Sequence, residues 1–403
     1  MKTVAIAGTF DSKAKEFLYI KELLEEVGLK TFMVDTGVFE PKFTPDVTNA
    51  EVAKAAGADI KELAKKKDRA LATEILSLGM EKLIPELYHQ GKFDGIISIG
   101  GSGGTSLVSP AMRALPIGVP KLMLSTDASG NIEQYVGTSD MIMMPSVVDV
   151  AGLNSISMRI FKNAAFAMAG MLKFEHIDAE KVEKKPIIAA TMFGVSTPAI
   201  DFAREYLEAR GYEVLVFHAT GSGGRSMETL IRDGFIKGVL DLTTTEWCDE
   251  IVGGVLAAGP NRLEAAGFMG IPQVVSVGAL DMVNFGPFKT VPEEFKNRNL
   301  YKHNPTVTLM RTNVEENIKV GRKIVEKLNS ATGPTVMMLP LNGVSMIDAP
   351  GQPFYGKEED EALFNELRIG LNRDVVELIE LNNHINDQEF AEAAAQKLLD
   401  LME

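Results

Sequence analysis

The chain has 403 residues, which is enough for two or three domains of ordinary size. Hydrophobic residues make up 45% of it and charged residues 24%, as in globular proteins, and the net charge of −14 disfavours nucleic acid and anionic membrane surfaces as partners. Cys248 is the single cysteine, which excludes an intrachain disulfide and favours a reducing, cytoplasmic location. No apolar run approaches the length of a membrane span, so no membrane partner is expected.

The first elements alternate between strand and helix. Residues 3–7 predict a strand, and the polar turn after it holds Asp11, a candidate N-cap for a helix that ends at Gly28. Thr48 and Glu51 have the spacing of a capping box that opens another helix, and a longer helical pattern follows residues 68–69. This alternation is typical of parallel sheets with helices on both faces.

The stretch IISIGGSGGTSL, residues 96–107, is the central feature of the sequence. Its apolar start predicts a buried parallel strand, and its glycines allow the backbone to turn sharply and approach a ligand closely. A helix that opens at Thr105-Ser106 offers unpaired N–H groups and a positive dipole end to a phosphate or carboxylate. It is not a Walker loop, because no lysine follows the last glycine, and Ser106 replaces the last glycine of a dinucleotide fingerprint. A glycine-rich turn that binds nothing is the alternative.

A charged segment poor in apolar residues, 176–185, is the predicted linker between two domains, 1–178 and 186–403. After it the pattern restarts, with strands expected at 187–191 and 213–217 and a helix at 198–209. The predicted fold class is α/β, with two Rossmann-like parallel-sheet lobes and a cleft between them. The long irregular stretch 278–304 is expected to be a functional loop.

Two motifs of the first half recur in the second. GSGGTS at 101–106 is echoed by GSGGRS at 221–226, and GVPKLMLS at 118–125 by GIPQVVS at 270–276. His218 before the second loop is a candidate general acid or base, Arg225 within it suits an anion, and Glu246 is a candidate base or metal ligand. These three are the predicted catalytic residues, acting on a small anionic substrate. The alternative is that His218 and Glu246 only support the second lobe.

Longer strings of residues resemble one family over almost the whole chain. They are GGSGGTSL at 100–107, LPIG at 115–118, GTSD at 137–140, PSVVD at 145–149, MFGV at 192–195, FHATG at 217–221, GVLD at 238–241, TTTE at 243–246, VGALDMVNFGP at 277–287 and HIND at 384–387. The chain thereby resembles the Tm-one-like ATP-binding domain family, named for the N-terminal region of a plant inhibitor of tobamovirus replication. The resemblance implies two α/β subdomains, ATP and Mg²⁺ bound by the first of them, and a homodimer.

Carried over position by position, the resemblance implies a set of nucleotide contacts in the first lobe. They fall on Asp11, Ser12, Lys13, Arg69, Gly101, Ser102, Gly103, Gly104, Thr105, Ser106, Thr126, Asp127, Ala128, Ser129, Gly130 and Asp140. Asp127 stands where the plant protein is apolar, and a carboxylate beside phosphates repels them unless a cation intervenes, which makes it a candidate metal ligand. Two functions are expected from these residues: an enzyme that uses a nucleotide, or a nucleotide-binding regulator without chemistry of its own.

Overall fold

The computed structural model describes residues 1–175 and 185–403 and divides into two compact units, Met1–Val182 and Glu183–Glu403. The predicted linker, 176–185, lies outside the described residues except for Lys185. Each unit contains a parallel sheet of its own, so the predicted α/β class with two Rossmann-like lobes is confirmed.

The N-terminal unit is built on a five-stranded parallel sheet of order β2-β1-β3-β4-β5. Its strands are β1 (Thr3–Gly8), β2 (Lys30–Asp35), β3 (Gly95–Gly100), β4 (Lys121–Ser125) and β5 (Ile142–Pro145). Gly8 is in register with Asp35, and Ala7 with Ser98, so the carboxyl ends of the first three strands meet at one edge. In this order β1 and β3 are adjacent while their connections run to opposite faces, which opens a crevice at that edge.

Alternating side chains of these strands pack against helices on both faces. The helices are α1 (Ala14–Glu26), α2 (Asn49–Ala55), α3 (Ile60–Lys66), α4 (Arg69–His89), α5 (Ser102–Arg113), α6 (Glu133–Val136) and α7 (Ser155–Lys173). Ile97 and Ile99 lie in the core with α1 and α7, whereas Ile96 lies in the core with α2, α4 and α5. The predicted capping box of Thr48 and Glu51 is present at the start of α2, and Asp68 caps α4.

The C-terminal unit holds a six-stranded parallel sheet of order β14-β13-β9-β8-β6-β7 and a three-stranded antiparallel sheet of order β10-β12-β11. The strands are β6 (Ile187–Met192), β7 (Glu213–His218), β8 (Ile236–Thr243), β9 (Gln273–Gly278), β10 (Met282–Phe285), β11 (Leu300–Asn304), β12 (Val307–Arg311), β13 (Thr335–Pro340) and β14 (Val376–Leu381). The helices are α8 (Thr197–Glu208), α9 (Ser222–Arg232), α10 (Glu246–Val252), α11 (Ala265–Phe268), α12 (Val314–Leu328), α13 (Lys357–Gly370) and α14 (Gln388–Met402). The expectation of one long irregular loop at 278–304 is wrong, because two strands of the antiparallel sheet, β10 and β11, lie in it.

The two sequence echoes differ in what they mean structurally. Gly118 and Gly270 both precede the fourth strand of their unit and both have positive φ, 93° and 68°, so this echo marks equivalent places. The glycine loops are not equivalent, because the first follows the third strand of its unit, β3, and the second follows the second strand, β7, at the sheet edge. The place equivalent to the first glycine loop is occupied in the C-terminal unit by the turn after β8 and by helix α10.

Candidate functional site

A pocket of about 610 Å³ lies in the N-terminal unit at the carboxyl ends of β1 and β3. Gly8, Gly100 and the loop 101–104 line it on the sheet side, and Arg69 and Leu76 of α4 line it on the helix side. This is the edge where the strand order reverses, the usual ligand position in open α/β sheets. We call it the anion pocket, for the reasons that follow.

The start of α5 presents free N–H groups to the anion pocket. Gly101 is the N-cap residue and contributes no side-chain bond, and the N–H of Thr105 is the first to bond within the helix, to Gly101 O at 3.0 Å. Within residues 1–175, no acceptor bonds the N–H groups of Ser102, Gly103 and Gly104. Because three donors converge with the positive end of the helix dipole, the loop attracts an anion.

The Arg69 guanidinium lies over this loop. A Cβ atom built on Gly103 would lie 2.9 Å from Arg69 Nη2, so the cation and the glycine backbone are in close approach. None of the carboxylates in the described ranges forms an ion pair with Arg69. A cation placed at the positive end of a helix is repelled by it, so the arrangement gains stability when an anion lies between the two.

The first turn has a different construction from the expected one. The prediction that Asp11 caps α1 is wrong: Lys13 is the N-cap residue, and Asp11 Oδ2 instead accepts the N–H groups of Val38 and Phe39, each at 3.1 Å. Lys13 donates its ammonium to Val150 O, and the Ser12 hydroxyl lies 3.1 Å from that of Thr9. Asp11, Ser12 and Lys13 nevertheless all line the anion pocket.

The other predicted nucleotide contacts divide among separate places. Ser106 lines a groove beside the pocket. The Thr105 hydroxyl donates a hydrogen bond to Gly101 O at 2.9 Å and so stabilises the loop. Thr126, Asp127, Ser129 and Gly130 line a small hollow of their own, and Ala128 belongs to the same helical turn.

Two carboxylates of this group are engaged within the protein. Asp127 accepts the Tyr135 hydroxyl at 2.7 Å and that of Thr126 at 3.0 Å, and its hydrogen bond with Tyr135 raises the pKa of the phenol. Asp140 pairs with the buried Lys121 ammonium and accepts the Gly118 N–H at 2.7 Å. Neither carboxylate lines the anion pocket.

The residues that line the anion pocket but were not predicted from the sequence include Thr36, Phe39, Ser98 and Asp149. The hydroxyls of Thr36 and Ser98 are buried and have no hydrogen-bond partner among the described residues. Such groups are costly to leave unpaired, which favours a polar ligand atom at the bottom of the pocket. The signal for Ser98 was a single hydroxyl within the apolar run 96–99.

The second glycine loop already holds an anion, and that anion belongs to the chain. Glu246 Oε1 accepts the N–H of Gly221 at 2.7 Å and the N–H of Gly224 at 3.1 Å. A Cβ atom on Gly224 would lie 2.3 Å from Glu246 Oε2, so the carboxylate fits directly against the helix start. The predicted substrate cradle of the C-terminal unit is therefore filled by a side chain.

Glu246 also belongs to a buried network around Arg262. The guanidinium lies 2.6 Å from Glu246 Oε2, 2.5 Å from Asp241 Oδ2 and 3.6 Å from Glu228 Oε1. Burial alone would lower the pKa of Arg262, but the three carboxylates raise that pKa above its ordinary value. Burial also raises the pKa of Glu228. The Glu246 carboxylate has two backbone donors and a cation, so these contacts give it a structural role in the second loop.

The remaining two predicted catalytic residues are exposed. The His218 ring packs on Phe193, with centroids 5.4 Å apart, and Arg225 donates Nη1 to Ala257 O at 3.0 Å. No hydrogen bond or ion pair among the described residues joins either of them to Glu246. The structure thus does not assemble the three as an acid–base group.

A second buried arginine, Arg311, lies among three carboxylates. Its Nη2 is 2.6 Å from Asp360 Oδ1 and 3.8 Å from Asp348 Oδ1, and burial raises the pKa of Asp360 to about 8 and that of Asp281 to about 7.

Across residues 1–175 and 185–403, no group of three or more His, Cys, Asp or Glu side chains is arranged to hold a metal ion. In those same ranges, no helix combines the length and the apolar character that crossing a membrane requires.

Comparison with protein families gives two matches that cover most of the chain. The N-terminal domain of the uncharacterised protein family UPF0261 matches residues 2–177, and the C-terminal domain of the same family matches residues 185–402. A UPF0261 protein of Clostridium tetani is 58% identical over 403 residues, covering 100% of this chain and 99% of that protein. One of Rhizobium meliloti is 44% identical over 402 residues, covering 100% and 99%.

The ToMV resistance protein Tm-1 of Solanum lycopersicum is also similar. It is 48% identical over 337 residues, which are 83% of this chain and 45% of the tomato protein. The resemblance to the Tm-one-like family is thereby confirmed.

Among solved structures, the UDP-N-acetylglucosamine 2-epimerase of Rickettsia bellii is 11% identical, with a TM-score of 0.21 and coverage of 68% of this chain and 78% of that one. MurG of Acinetobacter baumannii is 12% identical, with a TM-score of 0.22 and coverage of 100% and 91%. TM-scores this low carry no inference about a ligand. With both of its domains matched and relatives aligned over the full length, the chain belongs to the UPF0261 family.

Proposed function

We propose that the N-terminal unit binds ATP, or a related phosphorylated ligand, in the anion pocket. The observation that carries the proposal is the close approach of the Arg69 guanidinium to three N–H groups at the start of α5, none of which, like the guanidinium itself, has a partner in residues 1–175 and 185–403. The C-terminal unit offers the contrast, because there the same type of loop is saturated by Glu246. A loop of this type without an anion of its own supports binding of an external one.

Magnesium fits the same proposal. Mg²⁺ is commonly held by one or two carboxylates together with substrate phosphates, and Asp11 and Asp149 are carboxylates that line the pocket. Bound there, the ion would neutralise phosphate charge. Asp11 and Asp149 would hold it while Arg69 and the start of α5 orient the phosphates.

Calorimetric titration of the full chain with Mg-ATP and with inorganic tripolyphosphate tests the proposal. Arg69→Gln is expected to weaken both ligands by about 10- to 100-fold, because a hydrogen bond to a charged group contributes about 1.5–3 kcal/mol. Arg204→Gln is the matched control, since Arg204 is an exposed arginine of the C-terminal unit that pairs with Asp201. Failure of wild-type protein to bind either ligand, or equal binding by Arg69→Gln, would contradict the proposal.

A second variant tests the backbone donors. Gly103→Val places a branched side chain where the loop and Arg69 meet, so it displaces the guanidinium and covers the N–H groups. We expect loss of ATP binding with an unchanged melting temperature in the absence of ligand. The reason is that the three atoms nearest to the new Cβ in the described part of the chain, at 2.9 to 3.9 Å, belong to the flexible end of the Arg69 side chain. Retained affinity in a folded Gly103→Val protein would exclude the loop as the binding element.

Binding without chemistry is the second candidate. It is favoured because, among the residues that the structure describes, no hydrogen bond or ion pair joins Glu246 to His218 or Arg225. Incubation with Mg-ATP and a screen for phosphate release or metabolite turnover separates an enzyme that acts on a small anionic metabolite from a nucleotide-binding regulator. A homodimer belongs to the proposal through the family resemblance, and light scattering tests it. A cytoplasmic location belongs to it through the single cysteine.

A further inference from the structure

An apolar hollow of about 400 Å³ adjoins the anion pocket. Leu63 and Ala64 of α3 and Ala72 of α4 form its floor, and its lining is almost entirely carbon. Val38, Phe39 and Arg69 line both the hollow and the anion pocket, so the two spaces are adjacent at these residues. A ligand with phosphates at α5 can therefore extend an apolar group into the hollow.

Phe39 is exposed over 62% of its surface, although its backbone is firmly held. Its N–H is bonded by Asp11 Oδ2 at 3.1 Å, and its carbonyl accepts Asn49 Nδ2, also at 3.1 Å. Asn49 Nδ2 also donates to Gly37 O at 2.8 Å. A large apolar ring that is exposed on a fixed backbone is prearranged for stacking, since little conformational freedom is lost when a partner arrives.

The hollow has few groups that could identify the edge of a ring. Lys67 and Asp68 are its charged neighbours besides Arg69, and Asp68 Oδ1 is already bonded to the N–H of Leu71 at 3.0 Å. A site that recognises a base by hydrogen bonds needs several fixed donors and acceptors. Stacking on an aromatic face needs none and accepts any base.

We propose that the hollow is a nucleobase subsite, in which the base stacks on Phe39 while the phosphates occupy the anion pocket. This deepens the proposed function and rests on it. Because stacking dominates, purine and pyrimidine nucleotides bind with similar affinity, purines being favoured by their larger face. The specificity of the pocket is thus for a nucleoside polyphosphate as a class.

Two variants change the hollow without touching the glycine loop. Ala64→Trp fills the hollow from α3, and Phe39→Ala removes the stacking face. Each is expected to weaken ATP, GTP and UTP by about 5- to 100-fold, the range that base–aromatic stacking supplies. Ala64→Trp, whose position lies outside the lining of the anion pocket, is expected to leave the affinity for inorganic tripolyphosphate unchanged. Ala209→Trp and Phe235→Ala, at exposed positions of the C-terminal unit, are the matched controls. Unchanged ligand-free melting temperatures show that the variants are folded.

The outcomes separate the two proposals. If neither ATP nor tripolyphosphate binds wild-type protein, the proposed function fails. If both bind equally well, or if Ala64→Trp and Phe39→Ala leave ATP affinity unchanged, the nucleobase subsite is wrong while the anion pocket stands. If ATP binds at least tenfold more tightly than GTP and UTP, the base is read by hydrogen bonds, and the stacking proposal is overturned.

Discussion

Replacement of Arg262 by methionine is expected to lower the free energy of unfolding of the C-terminal unit by about 3–5 kcal/mol. Asp241, Glu246 and Glu228 are all buried around this guanidinium. Methionine would leave Asp241 and Glu246 without their cation, and Glu228 would keep only Arg232, at 3.7 Å. Loss of one partner from a buried ion pair is costly because the remaining charge is neither solvated nor compensated. The second glycine loop should loosen as well, since Glu246 links it to Arg262.

Trp247 makes this measurement specific to the C-terminal unit. It is the only tryptophan, it is buried, and it follows Glu246 in α10, so its fluorescence in a urea titration of the full chain reports unfolding there. Arg204→Met, which breaks an exposed pair with Asp201, should cost less than about 1 kcal/mol. If Arg262→Met lowers the free energy of unfolding by no more than this control does, the network around Arg262 does not stabilise the C-terminal unit.

The stability of the C-terminal unit is expected to decrease as the pH rises from 4 to 8. Asp249 is the carboxyl group whose contribution to this decrease is clearest. Burial raises the pKa of Asp249 from 3.8 to about 7. Between these values the folded chain binds a proton that the unfolded chain has lost, so stability falls by up to about 1.4 kcal/mol per pH unit and by about 4 kcal/mol in all. Asp281 and Asp360, whose pKa values are also raised, act in the same direction.

Asp249→Asn should remove the contribution of this one carboxyl group to the pH dependence of stability. The asparagine cannot ionise, and its amide can donate to Asn284 Oδ1, which has no partner among the described residues, once the Asn284 amide is flipped. The variant is expected to be more stable than wild type at pH 8 and to show a shallower slope between pH 5 and 8, followed by Trp247 fluorescence in urea. Asp201→Asn, at an exposed carboxylate, should leave the slope as it is. An unchanged slope in Asp249→Asn would show that Asp249 is ionised throughout.

Features that depend on neighbours in sequence could be predicted. The apolar run 96–99 followed by glycines is β3 and the start of α5, and Thr48 with Glu51 forms the expected capping box. The alternation of such signals was sufficient for the parallel sheets, because each strand and helix carries its own periodicity. The short strands of the antiparallel sheet carry too little pattern for this.

Features that depend on distant partners could not be predicted. Asp11 has the local signature of a cap, but its carboxylate bonds the N–H groups of Val38 and Phe39, which lie 27 and 28 residues away. Glu246 and the second loop are separated by 22 to 25 residues, and only the fold brings them together. A glycine-rich sequence therefore predicts backbone donors, but it does not predict whether the anion they bind is a ligand or a side chain.

The carboxylate of Glu246 is tethered to the chain, and this makes the two glycine loops differ in how their occupancy depends on solute concentration. Glu246 is part of the chain, so its loop is occupied at every solute concentration and its amide protons at Gly221 and Gly224 stay protected from exchange with solvent. A loop that binds a diffusible anion has protected amide protons only in proportion to its occupancy. Binding stabilises the unit by RT ln(1 + [L]/Kd), where [L] is the concentration of the free anion. If the N-terminal unit binds a diffusible anion as proposed, its stability rises with the concentration of that anion, whereas occupancy of the second loop by Glu246 does not depend on any solute concentration.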